Sequence, residues 1–343
     1  MMKKNFALLL LFFTSTYSLF SQDFAPLFKK LDPSVVVIYT KEKSLTTVAG
    51  MGKAMIDAEG LGSGVLISEE GDILTASHVV HTAEDIMVKF SDGDAIPAKV
   101  IASNPSADVA LIRLVSRKAN ATVAKIGDSD QVKTGEMVMV IGAPLGLEHS
   151  LSTGYISGKH ESHKTKSVFS QSEFFQTDAS INKGNSGGPM FNMDGEVIGI
   201  VSYILSESGG FEGIGFAATS NIAKKLVLGD NPFWSGLEGI PLTGELAEIF
   251  NLPQPIGLLV QKVVPLTPAD IMGVRGGIYE ARIEGQSILL GGDIILAIND
   301  IALDSGEKID EIVDQLASLK TGDSFTFTVF RAGKKEVLKG VVP

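Results

Sequence analysis

Between Ser34 and about Ala218 the apolar residues come in short β-branched runs set apart by turn residues: VVVIYT, GSGVLIS, ILTAS, IMVKF, AIPAKVIAS, VALIRL, MVMVIG, GEVIGIVSYI and GIGFAA. Runs of this kind with no helical period between them predict strands, and Ser91-Asp92-Gly93-Asp94 and Asp194-Gly195 predict hairpin turns. Together they predict an all-β barrel or sandwich region of about 190 residues. The first helical signal comes at Thr219-Ser220-Asn221-Ile222, where a capping residue precedes IAKKLVL and Gly229 closes the helix. That helix ends a first domain over 22–228. The stretch 229–236, opening with Gly229-Asp230-Asn231-Pro232, reads as a linker.

Beyond it the pattern changes. Ile309, Ile312, Val313, Leu316 and Leu319 share one face of a helix, with Lys320 in the last turn and Gly322 after it. Phe325 to Phe330 and Glu336 to Val342 predict a hairpin around Arg331-Ala332-Gly333-Lys334. A second, smaller α+β domain over 237–343 follows.

Composition narrows the field. Of 343 residues 44% are hydrophobic and none is cysteine. This describes a globular chain without disulfides, a thiol nucleophile, a thiolate zinc site or a lipid-modified cysteine. The formal charge of −11 leaves no electrostatic footprint for nucleic acid or an anionic membrane, so neither is expected as a partner. Met1-Met2-Lys3-Lys4 is basic, Phe6 to Phe13 is apolar, and Thr14 to Ser21 is small and polar. Residues 1–21 therefore read as a secretory signal peptide, giving an exported protein. An uncleaved anchor is the alternative, although the apolar run is short of the ~20 residues a bilayer needs.

The sharpest chemical signal is TDASINKGNSGGPM, residues 177–190, around Ser186. A serine hydroxyl attacks a carbonyl only with a base beside it and donors for the oxyanion. Glycines on both sides leave Ser186 open and let the amides of Gly184 and Ser186 point at one spot. Alone, such a run could be a turn with a capping serine. Two further segments argue otherwise: TASHVV sets His78 at the end of an apolar run, and ADVALI sets Asp108 at the start of a strand. An imidazole can take the serine proton near neutral pH, and a carboxylate fixes its tautomer. The chain order His, Asp, Ser is that of chymotrypsin, not of subtilisin or the α/β-hydrolases.

With GSGVLIS (62–68), TASHVV (75–80), ADVALIRL (107–114), TDASINKGNSGGPM (177–190) and GIGFAA (213–218) in place, the chain resembles a serine protease of the HtrA/Deg family. That resemblance covers essentially everything after residue 21. It implies a chymotrypsin-like double β-barrel followed by one PDZ domain, with His78 as general base, Asp108 as orienting acid, Ser186 as nucleophile, and the amides of Gly184 and Ser186 as oxyanion hole. It further implies an ATP-independent endopeptidase that needs no cofactor and cuts unfolded or damaged proteins in the periplasm, in a homotrimer or larger assembly. The departures are Ala76-Ser77 before His78 and GAPLG (142–146) where GNPFG is common. A holdase with a silent site and a scaffold using only the PDZ domain are alternatives that the intact trio disfavours.

The same resemblance sets Ile181 and Ile204 near the primary specificity pocket, which would then be apolar; both could equally be barrel core. Leu237-Glu238-Gly239-Ile240 resembles a carboxylate-binding loop for C-terminal peptides, with Ile240 to Leu242 as the strand beside the bound peptide. Arg275 to Leu290 is an insertion relative to the commonest members. Phe24 and Phe28 are candidates either for a trimer axis or for docking on their own domain. Metal binding is not expected: His81 lacks a third ligand, and His160-Glu161-Ser162-His163 is one residue short of a zinc-protease spacing. His149, His160 and His163 read as loop residues, and Gly60 to Gly64 reads as a turn.

Overall fold

The computed structural model describes residues 23–48, 52–143, 149–161, 172–206, 208–229, 234–283 and 286–342. The predicted signal segment, most of GAPLG, His163 and the middle of the linker lie outside them. The first element is a helix, α1 (Ala25–Leu31), with Pro26 in its first turn. Seven residues are too few to show a helical period in sequence, and α1 was not expected. It holds because Leu31 is buried and Phe24, Leu27 and Phe28 pack on the cluster of Val35, Leu111, Phe191 and Val227. Phe24 and Phe28 thus pack in part on their own barrels, since an apolar face this close to a core lowers its free energy by covering it.

Strands β1 (Val35–Val48), β2 (Gly52–Leu66) and β3 (Asp72–Thr75) lead to a one-turn helix α2 (Ser77–Val80). Next come β4 (Asp85–Lys89), β5 (Ala95–Asn104) and β6 (Val109–Leu114). They close a barrel in the order β1-β2-β3-β6-β5-β4, filled by Ile38, Leu66, Ile73, Val88 and Ile112. The expected turn at Gly60 to Gly64 is instead strand β2. These glycines serve close approach. A Cβ on Gly62 would lie 2.6 Å from Val79, and one on Gly64 2.8 Å from Ile73.

The second barrel uses β7 (Lys125–Ile126), β8 (Met137–Gly142), β9 (Ser150–Glu161), β10 (Glu173–Thr177), β11 (Pro189–Phe191), β12 (Glu196–Ile204) and β13 (Gly215–Thr219). The order β11-β8-β9-β10-β13-β12 closes through the β11–β12 pairing, and β7 adds in parallel to β12. Helix α3 (Ser220–Val227) follows as expected, but the Thr219 side chain donates to Glu173 rather than capping it. The cap comes from Ser129, whose Oγ accepts from Asn221 N at 3.1 Å.

The C-terminal α+β unit holds β14 (Leu237–Thr243), α4 (Glu245–Ile249), β15 (Ile256–Val263), α5 (Pro268–Ile271), β16 (Tyr279–Ile283), β17 (Gln286–Leu290), β18 (Ile294–Ile298), β19 (Ile301–Ala302), α6 (Gly306–Ser318), β20 (Ser324–Arg331) and β21 (Lys334–Val341). Its main sheet runs β14-β15-β18-β20-β21, leaving β14 at one end. Ile309 and Ile312 of α6 pack with Val260, Phe325 and Phe327. The expected last hairpin turns through Ala332 and Gly333, both at positive φ. The insertion folds as the separate β16–β17 ribbon. Asp293, just after it, is buried and grips Arg331 through Nε at 2.7 Å and Nη2 at 2.6 Å.

Candidate functional site

Strand pairing sets the first two site residues side by side. Thr75 of β3 is paired with Ala110 of β6; His78 lies three residues beyond Thr75, and Asp108 two before Ala110. Asp108 takes a left-handed backbone, φ 52°, in a turn where Asn104 Oδ1 accepts from Ala107 N at 3.0 Å. Its carboxylate accepts from His78 N at 3.0 Å and from His78 Nδ1 at 3.0 and 2.9 Å. It also accepts a hydrogen bond from Ser202 Oγ. The Asp108 side chain is 16% exposed and that of His78 51%, so the imidazole hangs over the cleft while its partner is largely enclosed. A carboxylate accepts only, so Nδ1 carries a proton and Nε2 keeps its lone pair when the ring is neutral.

Ser186 stands on the loop between β10 and β11. Gly187 has φ 83°, and a Cβ there would overlap Thr75 Oγ1 and Ser63 O. Gly187 N donates to Val201 O at 2.7 Å and Val201 N to Gly188 O at 2.9 Å, tying the loop to β12. The Ser186 hydroxyl donates to Ser202 O at 3.3 Å. Among the described hydrogen bonds none joins Ser186 to His78, and none is donated by the amides of Gly184 or Ser186.

Ser202 therefore holds both Asp108, through its hydroxyl, and Ser186, through its carbonyl. Sequence reading missed it; its one signal was its position two residues before Ile204 on an apolar strand. Beside His78 lies a cavity of about 460 Å³ between β1, β2 and α2, lined among others by Glu42, Glu59, Val79 and Lys183. On the other side, Ile181 is 2% exposed in the second barrel's core, with Ile204 and Phe211 against the same cluster. Gly215 gives them room, since a Cβ there would lie 2.6 Å from Ile181 Cδ1. Ile181 is thus a member of the core, and Ile204, only partly buried, packs on the same cluster. Next to them Tyr203 stacks on Phe216, centroids 4.8 Å apart. Burial, then the Asp108 charge, pushes its phenol up.

The expected carboxylate loop is different. Leu237 to Ile240 belong to β14 and pair with β15, with a register shift between Glu238 and Gly239. The Leu237 carbonyl accepts from His81 Nε2 at 2.9 Å, while His81 Nδ1 meets Ser103 Oγ at 2.8 Å. The ring of His81 also lies edge-on to Trp234. Burial, the main cause, lowers the His81 pKa. A second tie joins the units: Glu42 accepts from Thr82 of the first and, at 3.1 Å, from Lys262 of β15. Of the expected loop histidines, His149 does lie in a turn just before β9, bonded to Asp32 at 2.7 Å, whereas His160 sits on β9, bonded to Gln176 and edge-on to Phe216.

Comparison with known proteins agrees with this geometry. A family model for the trypsin-like peptidase domain matches residues 62–200. A probable periplasmic serine endoprotease DegP-like of Pseudomonas fulva (strain 12-X) is 34% identical, over 87% of this chain and 69% of its own length. Its namesake in Pseudomonas putida (strain GB-1) is 33% identical over 92% and 69%. That of Ectopseudomonas mendocina (strain ymp) is 37% identical over 82% of this chain but only 56% of the relative. Among solved structures, the HtrA-type protease AlgW with tripeptide is 31% identical with a TM-score of 0.53, covering 93% of this chain and 96% of that one. AlgW with decapeptide gives 28%, 0.52, 93% and 98%.

Proposed function

The chain belongs to the HtrA/Deg family of serine endoproteases, and from that premise we propose that it cuts unfolded or damaged proteins in the periplasm through His78, Asp108 and Ser186. The observation that carries this reading is the three-point hold of Asp108 on His78 beside a serine loop whose two amides are unclaimed. In the reaction the Ser186 hydroxyl leaves Ser202 O, gives its proton to His78 Nε2, and attacks the scissile carbonyl. The oxyanion turns to Gly184 N and Ser186 N. His78 then protonates the leaving amine, and a water, deprotonated by the same nitrogen, releases the acyl group. Asp108 keeps Nδ1 protonated and stabilises the imidazolium.

Ile181 and Ile204 form the floor of an apolar primary pocket suited to Val, Ala, Ile or Leu side chains. The C-terminal unit acts as a PDZ domain that takes peptide C-termini along β14, whose outer edge is unpaired in its sheet, and adjusts cleavage. The His81–Leu237 hydrogen bond supports that link, because α2 carries His78 as well. Export by residues 1–21 fits the periplasmic names of the relatives. The chain assembles as a homotrimer. A fluorophosphonate that modifies serine tests the reading: it should label Ser186, and Ser186→Ala should neither label nor cleave an unfolded protein. Cleavage by pure Ser186→Ala protein would overturn it.

A further inference from the structure

The loop that carries Ser186 is held from the other barrel by one side chain. Ser63 lies on β2 with no exposed surface, where a hydroxyl is tolerated only if its hydrogen bonds are made. They are: Ser63 Oγ donates to Gly184 O at 2.8 Å and accepts from Ala143 N at 3.0 Å. The Ser63 amide donates to Ser186 O at 2.8 Å, and its carbonyl accepts from Thr75 Oγ1 at 2.7 Å.

Gly184 O belongs to the peptide linking Gly184 to Asn185. That peptide lies between the two that carry the amides of Gly184 and Ser186. Gly184 has φ 105°, in a region where glycine turns freely, so local sterics do not fix its ψ. Nor does the Asn185 side chain hold it firmly: Nδ2 reaches Ser180 O only at 3.4 Å, and buried Oδ1 has no protein partner. The peptide is held on both sides, by Asn185 N donating to Asn182 O at 3.0 Å within the loop and by Ser63 Oγ donating to Gly184 O from the other barrel, while Gly188 N donating to Asn185 O at 2.8 Å holds the next peptide, which carries the Ser186 N–H.

We propose that Ser63 is a positioning residue for the oxyanion hole, setting the angle between the Gly184 and Ser186 amides; this rests on the assignment of those amides above. Removing the hydroxyl leaves the nucleophile and base in place but takes away one of the two hydrogen bonds on the central peptide, so that it can tilt about the remaining Asn185 N–Asn182 O bond. An oxyanion donor is worth about 10²–10³ in rate, so a donor that is misaimed rather than deleted should cost about ten- to a hundredfold.

The test uses the full chain with Ser63→Ala and, as a milder change that keeps a weak S–H donor, Ser63→Cys. Three quantities are read on an apolar peptide substrate: kcat, KM, and inhibition by the matching peptide boronate, which is tetrahedral on Ser186. The expected result is a fall in kcat of about ten- to a hundredfold for alanine, less for cysteine, and KM changed less than about threefold. Boronate affinity should fall by the same factor as kcat/KM, a correlation that mere loosening of the fold would not give. Should Ser63→Ala fail to fold, Ser63→Cys decides by the same criteria. A kcat within threefold of the parent, or boronate affinity unchanged while kcat falls, overturns the inference. Fluorophosphonate labelling of the parent separates the two readings: no label on Ser186 sinks the triad and Ser63 with it, whereas a labelled parent with Ser63 variants acylated at the parent rate sinks Ser63 alone.

Discussion

Asp108→Asn changes one oxygen for an NH2 group at almost constant volume, and the structure says what that costs. The carboxylate now takes three donors: His78 N, His78 Nδ1 and Ser202 Oγ. An asparagine has one oxygen for them. If its nitrogen faces His78, two donors meet, and the ring escapes by moving its proton to Nε2, where it can no longer accept from Ser186. If its oxygen faces His78, the tautomer survives but the imidazolium loses its counter-charge. Two charges about 3 Å apart at an effective dielectric of about 20 attract by about 5 kcal/mol, an upper figure because the His78 side chain is half exposed. At about 1.4 kcal/mol per tenfold, this corresponds to 10³–10⁴ in rate, in line with the ~10⁴ found for this change in trypsin-like enzymes. The assay is initial rate at saturating fluorogenic peptide, with thermal melts to check that both proteins are folded. A folded Asp108→Asn variant that loses less than about tenfold in kcat would refute the reasoning.

Gly187→Ala should destabilise by about 2 kcal/mol or more, since φ is 83° and the new Cβ meets Ser63 O and Thr75 Oγ1; urea melts measure it, and an unchanged midpoint rejects it. His81 is held below its ordinary pKa of about 6.5 by burial. The unfolded chain therefore binds that proton first: the contribution is complete above about pH 6.5 and is lost as pH falls toward the depressed folded value. Melts from pH 8 to 5 should show a steeper loss for the parent than for His81→Gln, and identical slopes count against it. A peptide ending in valine should bind with micromolar affinity, on the order expected for one added strand, and its C-terminal amide should bind far more weakly in calorimetric titration.

The runs VVVIYT, VALIRL and MVMVIG were legible because their strands bury both faces or one unbroken face, so composition alone marks them. β9 escaped because half-buried and exposed positions alternate along it, mostly among Ser, Thr and Gly, with only Ile156 buried, so it shows no apolar run. His78, Asp108 and Ser186 could be paired from chain order and flanking residues. Ser63 and Ser202 could not: each acts through partners more than 90 residues away, Gly184 for one and Asp108 for the other, and a lone serine on an apolar strand gives no local sign of that. Leu237 to Ile240 misled in the opposite way. A glycine between apolar residues suits a loop and a bulged strand alike, and pairing with β15 decides.

Helix α2 is a single turn with His78 near its start and His81 just past its end. At 1.5 Å per residue the two imidazoles stand on backbone only about 4.5 Å apart along the axis. One faces the cleft and the other is bonded into the C-terminal unit. There is no spacer in which an altered seam could be absorbed before it reaches the base. Grafting a foreign C-terminal unit onto these barrels is therefore not a modular exchange: a working hybrid must carry over the carbonyl at 237 and the indole at 234 together with His81, or redesign α2 itself.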